Sequence, residues 1–207
     1  MLLNTVVVTE FMTNCFILGD EQTKKAIVID PGGEGKRIMD KVQAMGLEIY
    51  AIVNTHAHVD HIGAIREIKE ETGALFMMHE SEQPLLQAAS KMGRLFGIHI
   101  QQPPDPDQFL GESGQVTCGG ITLTVIETPG HSPGGISLVT GDGRNCFVGD
   151  TLFAGSIGRT DLPGGDYHTL MSSIKSRLLP LGDDVKVFPG HGPATTIGNE
   201  KKYNPFL

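Results

Sequence analysis

The chain has 207 residues, 39% of them hydrophobic, enough for a real core in one large domain or two small ones. Acids outnumber bases 24 to 16, and the net charge of −8 argues against a general nucleic-acid binder, which shows a basic face. Its three cysteines, Cys15, Cys118 and Cys146, are widely spaced and form no C-x-x-C pair, which excludes a disulfide framework or a zinc ribbon.

The chain opens with short β-rich runs at 5–10, 14–20 and 24–33, each broken by turn residues. Residues 35–46 place Ile38, Val42 and Met45 at helical spacing and end on glycine, so a helix is expected. A buried strand follows at 48–55, a helix at 62–73, a strand at 74–80 and a helix at 81–96. The proline-rich stretch 101–109 reads as a connecting loop. The second half repeats this outline. Four strands lie between 114 and 150, a helix at 166–182 and a last strand at 184–193. Such alternation is the signature of an α/β fold, here two sheets packed together with helices outside. No linker or short-period repeat divides residues 1–207, so a single domain is expected. The N-terminus lacks a basic region, and no apolar run nears the roughly 18 residues of a membrane span. A reduced, cytoplasmic, soluble protein with no membrane partner is the expectation.

"NTHAHVDH" at 54–61 ends the fourth strand and holds His56, His58, Asp60 and His61 within six positions. His131 in "TPGHSPGG", Asp150 in "FVGDTLF" and His191 in "FPGHGP" each follow an apolar run. Loops at the C-terminal ends of strands are where ligand sites gather in α/β sheets. In an extended loop His56 and His58, two apart, point to one side and can share a metal. Asp60 and His61 come as the chain turns and can face a second metal. His131 would complete the first site and His191 the second, and Asp150 can bridge them through its two oxygens. Three ligands and a bridge leave room for water, as a catalytic site requires; a closed structural or storage site would not. Imidazole and carboxylate without thiolate suit zinc first, with iron or manganese as alternatives.

The ordered set "THAHVDH", "TPGHSPGG", "GDTLF" and "PGHGP" resembles the metallo-β-lactamase superfamily over nearly the whole chain. Within it the sequence is most similar to the glyoxalase II (hydroxyacylglutathione hydrolase) group, in short bacterial forms ending near "NPFL". The resemblance implies an αβ/βα four-layer sandwich. It implies that His56, His58 and His131 hold one divalent metal and Asp60, His61 and His191 the other, with Asp150 bridging. It implies hydrolysis of a small-molecule thioester such as S-lactoylglutathione by a metal-bridging hydroxide, with Asp60 orienting it. A thiolate leaving group, with a pKa of about 8.5, needs little proton donation, which fits a chain without an evident general acid.

Arg159 matches a basic residue that contacts the peptide part of the substrate in the longer enzymes. Asp161 and Pro193 stand where those enzymes carry tyrosines, and no counterpart of their C-terminal helical domain is expected, so other acyl thioesters are also expected substrates. Lys201, Lys202 and Tyr203 could reach the site from the tail, but a chain end is more often loosely ordered surface, which is the expectation here. The rival resemblance is to mono-iron persulfide dioxygenases, which share "GRTD" (158–161) and would use His56, His131 and Asp150. They read A-H-D-Y where this chain has "GHGP", which favours the hydrolase. His79, His99 and His168 are expected to be structural or solvated. Asp30, in "VIDPGG", is expected to brace the metal loop from outside, as outer groups fix ligands. The sequence leaves oligomeric state open.

Overall fold

Side-chain alternation divides the strands of the first half between two cores. In β2 (Thr13–Gly19) Phe16 and Leu18 turn one way, Cys15 and Ile17 the other, and all seven residues are buried. A strand covered on both faces reads as a continuous apolar run for this reason. The computed structural model describes residues 1–207 except Phe96 and His99, so the expectation for His99 and the last residue of the 81–96 helix lie outside the described residues.

β1 (Leu2–Val8), β2, β3 (Lys25–Ile29), β4 (Glu48–Val53), β5 (Leu75–His79) and β6 (Gln108–Leu110) form one sheet in sequence order. The first three pair antiparallel and β3 to β6 parallel. The second sheet runs β14 (Thr195–Thr196), β13 (Lys186–Pro189), β10 (Asn145–Gly149), β9 (Ile136–Thr140), β8 (Ile121–Glu127), β7 (Gln115–Cys118). Between the sheets Phe16, Leu18, Ile27 and Val53 meet Leu123, Val125, Leu138 and Phe147. Outside the first sheet, Ile38 and Val42 of α1 (Gly35–Ala44) and Ile65 and Ile68 of α3 (Ile65–Thr72) cover Ile17, Val28 and Ile52. Outside the second, Leu170 of α5 (Tyr167–Ser173), Ile174, Leu178 and Ile197 cover Cys146, Val148 and Val187. These are the four layers of an αβ/βα sandwich.

The structure departs from the sequence expectation in several places. The helix expected at 62–73 splits into α2 (Val59–Ile62) and α3. Ala64 gives its N–H to Pro31 O (2.9 Å) instead of the helix ladder, and a Cβ on Gly63 would strike the Gly32 carbonyl. The helix expected from 81 begins with a 3₁₀ turn (Glu80–Glu82) before α4 (Gln83–Leu95), with Pro84 near its start where a missing N–H costs little. The helix expected at 166–182 ends as α5 at Ser173 and continues in π and 3₁₀ turns toward Pro180, which cannot donate to a ladder. Part of the 101–109 loop is edge strand β6. The small hairpin β11 (Leu152–Phe153)–β12 (Ser156–Ile157), β14 and α6 (Ile197–Tyr203) were not expected at all. Among the described residues, no helix is long and apolar enough to cross a membrane.

Candidate metal centre

β4, β8, β10 and β13 all end at one edge of the sandwich, and the loops leaving them carry all seven candidate ligands. His58 Nδ1 lies 2.9 Å from His131 Nε2. Those atoms and a nitrogen of His56 fall within 4.8 Å of one another. Asp60 Oδ2, His61 Nε2 and His191 Nε2 form a second such group, with His191 3.2 Å from both His61 and Asp60. Asp150 stands between the groups. Its Oδ1 is 3.5 Å from His61 Nε2, and its Oδ2 is 3.6 Å from His131 and 3.5 Å from His191. All seven positions singled out in the sequence are brought together here.

Hydrogen bonds on the far side of each ring decide which nitrogen faces inward. His131 Nδ1 donates to Arg159 O (2.8 Å) and His191 Nδ1 to Phe11 O (2.9 Å). His61 Nδ1 faces Asp30 Oδ2 (3.1 Å). Thr55 Oγ1 donates to that same oxygen (2.6 Å) and so is left to accept from His56 Nδ1 (3.1 Å). A ring that donates outward presents a bare lone pair inward. Four imidazoles are thereby set in the ligating tautomer, with Asp30 anchoring two of them. The buried trio Asp30, His56 and His61 is this anchoring relay, and Asp30 Oδ1 is also engaged, by Thr55 N (2.7 Å). Asp30 holds a left-handed backbone (φ 51°), which aspartate tolerates.

Buried polar atoms nearly always find a partner. Here His56 Nε2 and Asp150 Oδ1 are buried without one. Unpaired acceptors among converging lone pairs fit divalent cations. The electrostatics agree. Burial, then His61 and the neighbouring histidines, drive the His56 pKa well down, and burial and His131 lower that of His58 to about 3. Both rings therefore stay unprotonated, as ligands must be. Burial opposes charge on His61, but Asp150, Asp60 and Asp30 outweigh it and lift its pKa to about 10. Burial also opposes charge on Asp60, yet His61 and His191 hold its carboxyl well below the usual range. The second group thus attracts positive charge strongly, and a metal bound there would displace the His61 proton.

The surrounding loops are packed to bring these atoms together. A Cβ on Gly190 would meet Asp150 Oδ1 and, at 2.6 Å, His61 Cε1. Asn14 of β2 holds the His191 loop, donating to Pro189 O and Gly192 O (both 2.9 Å). Asn54 Nδ2 donates to His61 O (2.9 Å). Glu82, fully buried, accepts from Ala57 N through Oε2 and from Gly134 N through Oε1, both at 2.7 Å. It ties the His56–His58 loop to the His131 loop. Sequence reasoning missed Glu82, Asn14, Asn54 and Thr55. The last two adjoin the histidine motif, but Glu82 carries no signal beyond being an acid in a helical region.

Arg159 lines the cleft above the ligands, and its side chain pairs doubly with Asp161 (2.8 Å each) while largely exposed. None of Lys201, Lys202 and Tyr203 lines the cleft, in keeping with a tail that lies on the surface. Lys201 pairs with Asp183 (2.6 Å), and Lys202 lies over the Tyr203 ring. Asn204 and Glu200 pin α6 to the β11–β12 hairpin instead. His79 bonds Ser81 N and Glu127, a structural role, and His168 is exposed beside Tyr167.

Comparison with known proteins agrees with this geometry. The model of the Metallo-beta-lactamase superfamily matches residues 8–191. The "Hydroxyacylglutathione hydrolase GloC" of Haemophilus influenzae is 38% identical over 209 residues, spanning 100% of this chain and 98% of that one. The BLEG-1 B3 metallo-beta-lactamase superposes with a TM-score of 0.93 at 38% identity, covering 100% of this chain and 99% of the other. TTHA1623 in a di-iron-bound form superposes at 0.90, also 38% identical, covering 99% and 100%.

Proposed function

The chain belongs to the metallo-beta-lactamase superfamily, and from that premise we propose that it is a two-metal hydrolase of acyl thioesters, with S-lactoylglutathione the first substrate to test. The family and the His/Asp clusters imply divalent metal ions. The observation that carries the reading is the convergence of seven ligand side chains on two adjacent points, with His56 Nε2 and Asp150 Oδ1 otherwise unpartnered. His56, His58 and His131 would hold one cation, Asp60, His61 and His191 the other, and Asp150 both. Zinc suits this donor set, and the di-iron form of the TTHA1623 relative makes iron a natural comparison.

Bound cations would supply activated water at neutral pH and draw charge from the carbonyl oxygen. The chain's own groups do the rest. Asp60, held ionised, accepts a hydrogen bond from the attacking water and orients it. The Asp30–Thr55 relay and the Arg159 and Phe11 carbonyls keep the imidazoles in register. The cleft walls Phe11, Val59 and Leu162 are apolar and limit competing water. No general acid is needed for a thiolate leaving group. The names of two relatives, a hydroxyacylglutathione hydrolase and a β-lactamase, both describe delivery of water to an acyl carbon, which supports hydrolysis over oxygen chemistry. Protein loaded with zinc or iron should hydrolyse S-lactoylglutathione, and Asp60→Asn should lower kcat by about 10²–10⁴-fold even at metal concentrations that saturate the variant. Oxygen uptake with glutathione persulfide and no thioester cleavage would replace this reading with the mono-iron dioxygenase.

A further inference from the structure

We propose that the cleft selects its thioester by an apolar arm rather than by ionic contacts to a charged thiol carrier. The inference rests on the thioesterase reading and names the substrate class of the same site. The space over the ligands is about 280 Å³ and is walled by Phe11, Val59, Leu85, Met92, Leu162 and Pro163. Leu85 and Met92 are seven residues apart on α4, two turns along one face, so they line one side of the cleft together. Phe11 stands on the turn whose carbonyl holds His191, so this wall is set by the metal loop itself.

Charge points the same way. Apart from the proposed ligands, Arg159 is the one ionisable side chain among the described residues lining the cleft. Its guanidinium is already engaged by both oxygens of Asp161. A glutathione thioester carries two carboxylates and an ammonium, against which the cleft sets one exposed, exchangeable cation. Lys201 and Lys202, the nearest basic residues of the tail, are turned to Asp183 and Tyr203. The volume is close to the lower end of ligand pockets, about 300–1,000 Å³, and suits a compact arm better than a tripeptide.

The reaction is ordinary hydrolysis. The C–S bond breaks, a C–O bond forms from water, and the released thiolate is protonated by solvent. The apolar arm is either the acyl group or the thiol, and two series separate them. In one, N-acetylcysteamine is esterified with acetyl, butyryl, hexanoyl and octanoyl groups. In the other, acetyl thioesters carry thiols of increasing alkyl length. Burying a methylene is worth about fourfold in kcat/KM, so one series should climb by roughly that factor per methylene until the cleft fills. S-lactoylglutathione should be no better than S-lactoyl-N-acetylcysteamine. Met92→Glu and Leu85→Glu should flatten the climb, whereas a merely structural effect would lower all substrates alike. Asp161→Asn, which frees Arg159, should raise the ratio of glutathione to neutral thioester. Two flat series, or a preference for the glutathione thioester above tenfold, overturns the proposal while the thioesterase stands. Metal-loaded protein that cleaves none of these thioesters overturns both.

Discussion

Glu82 offers a test of how the centre is held that does not depend on turnover. Its two carboxylate oxygens accept from Ala57 N and Gly134 N at 2.7 Å in a site closed to solvent. Ala57 lies between His56 and His58, and Gly134 three residues past His131. The carboxylate therefore helps set the spacing between the two ligand loops, beside the Ile136 N–H bond to Thr55 O (2.9 Å). Glu82→Ala leaves two buried N–H donors without partners, each at a cost of about 1–3 kcal/mol, together about 2–6 kcal/mol. Glu82→Gln keeps one accepting oxygen and turns an NH₂ toward the other donor, for a loss of about 1–3 kcal/mol. In a chain of this size each kcal/mol lowers Tm by about 2–4 °C. Thermal unfolding of the metal-free protein should rank wild type above Glu82→Gln above Glu82→Ala. Metal titration should show weaker binding at the His56–His58–His131 group, with the Asp60–His61–His191 group less affected. A Glu82→Ala protein within 0.5 kcal/mol of wild type, or equal weakening at both groups, would refute the reasoning.

Other expectations follow from the same geometry. Asp30→Asn removes the acceptor that orients His61 and, through Thr55, His56; losing such an outer partner costs about 10–100-fold in metal affinity, measurable by competition with a chelator of known affinity. Single alanine replacements of His58 and of His61 should each reduce the bound metal by about one equivalent, and elemental analysis showing full occupancy in either would contradict the assignment. Glu200 is buried and would be raised by burial, but hydrogen bonds from Thr195, Gly155, Asn199 and Asn204 hold its carboxyl below the ordinary 4.5. A folded pKa below the unfolded one stabilises above pH 4.5, and that contribution is lost as pH falls through the folded value. Denaturant unfolding should therefore show Glu200→Gln less stable than wild type at pH 7, with the gap closing as the pH drops below 4.5. A gap that persists or widens in acid would contradict it.

Much of this was legible in the sequence because ligands cannot be spread at random. His56, His58, Asp60 and His61 fall where an extended strand end turns into a helix, and both the spacing and the turn survive in the structure. His131, Asp150 and His191 could be placed because each follows an apolar run that forms a strand, at β8, β10 and β13. Asp30 could be read as a brace because it ends an apolar strand in the turn "VIDPGG", and the structure sets that strand parallel beside β4. What escaped depends on contacts between distant segments. The break at Gly63–Ala64 comes from the turn at Pro31–Gly32 pressing on the helix, which periodicity does not record. Glu82 meets backbone 25 and 52 residues away. The short strands β11, β12 and β14 are two residues each, too brief for a pattern.

The central claim is a two-metal centre that hydrolyses thioesters. Elemental analysis of protein purified without chelator, with S-lactoylglutathione and N-acetylcysteamine thioesters assayed on the same sample, tests it most directly. The account predicts close to two divalent metals per chain, with release of free thiol that is lost on chelation and restored by metal. About one iron per chain, no thiol release from any thioester and oxygen consumption with glutathione persulfide would contradict it.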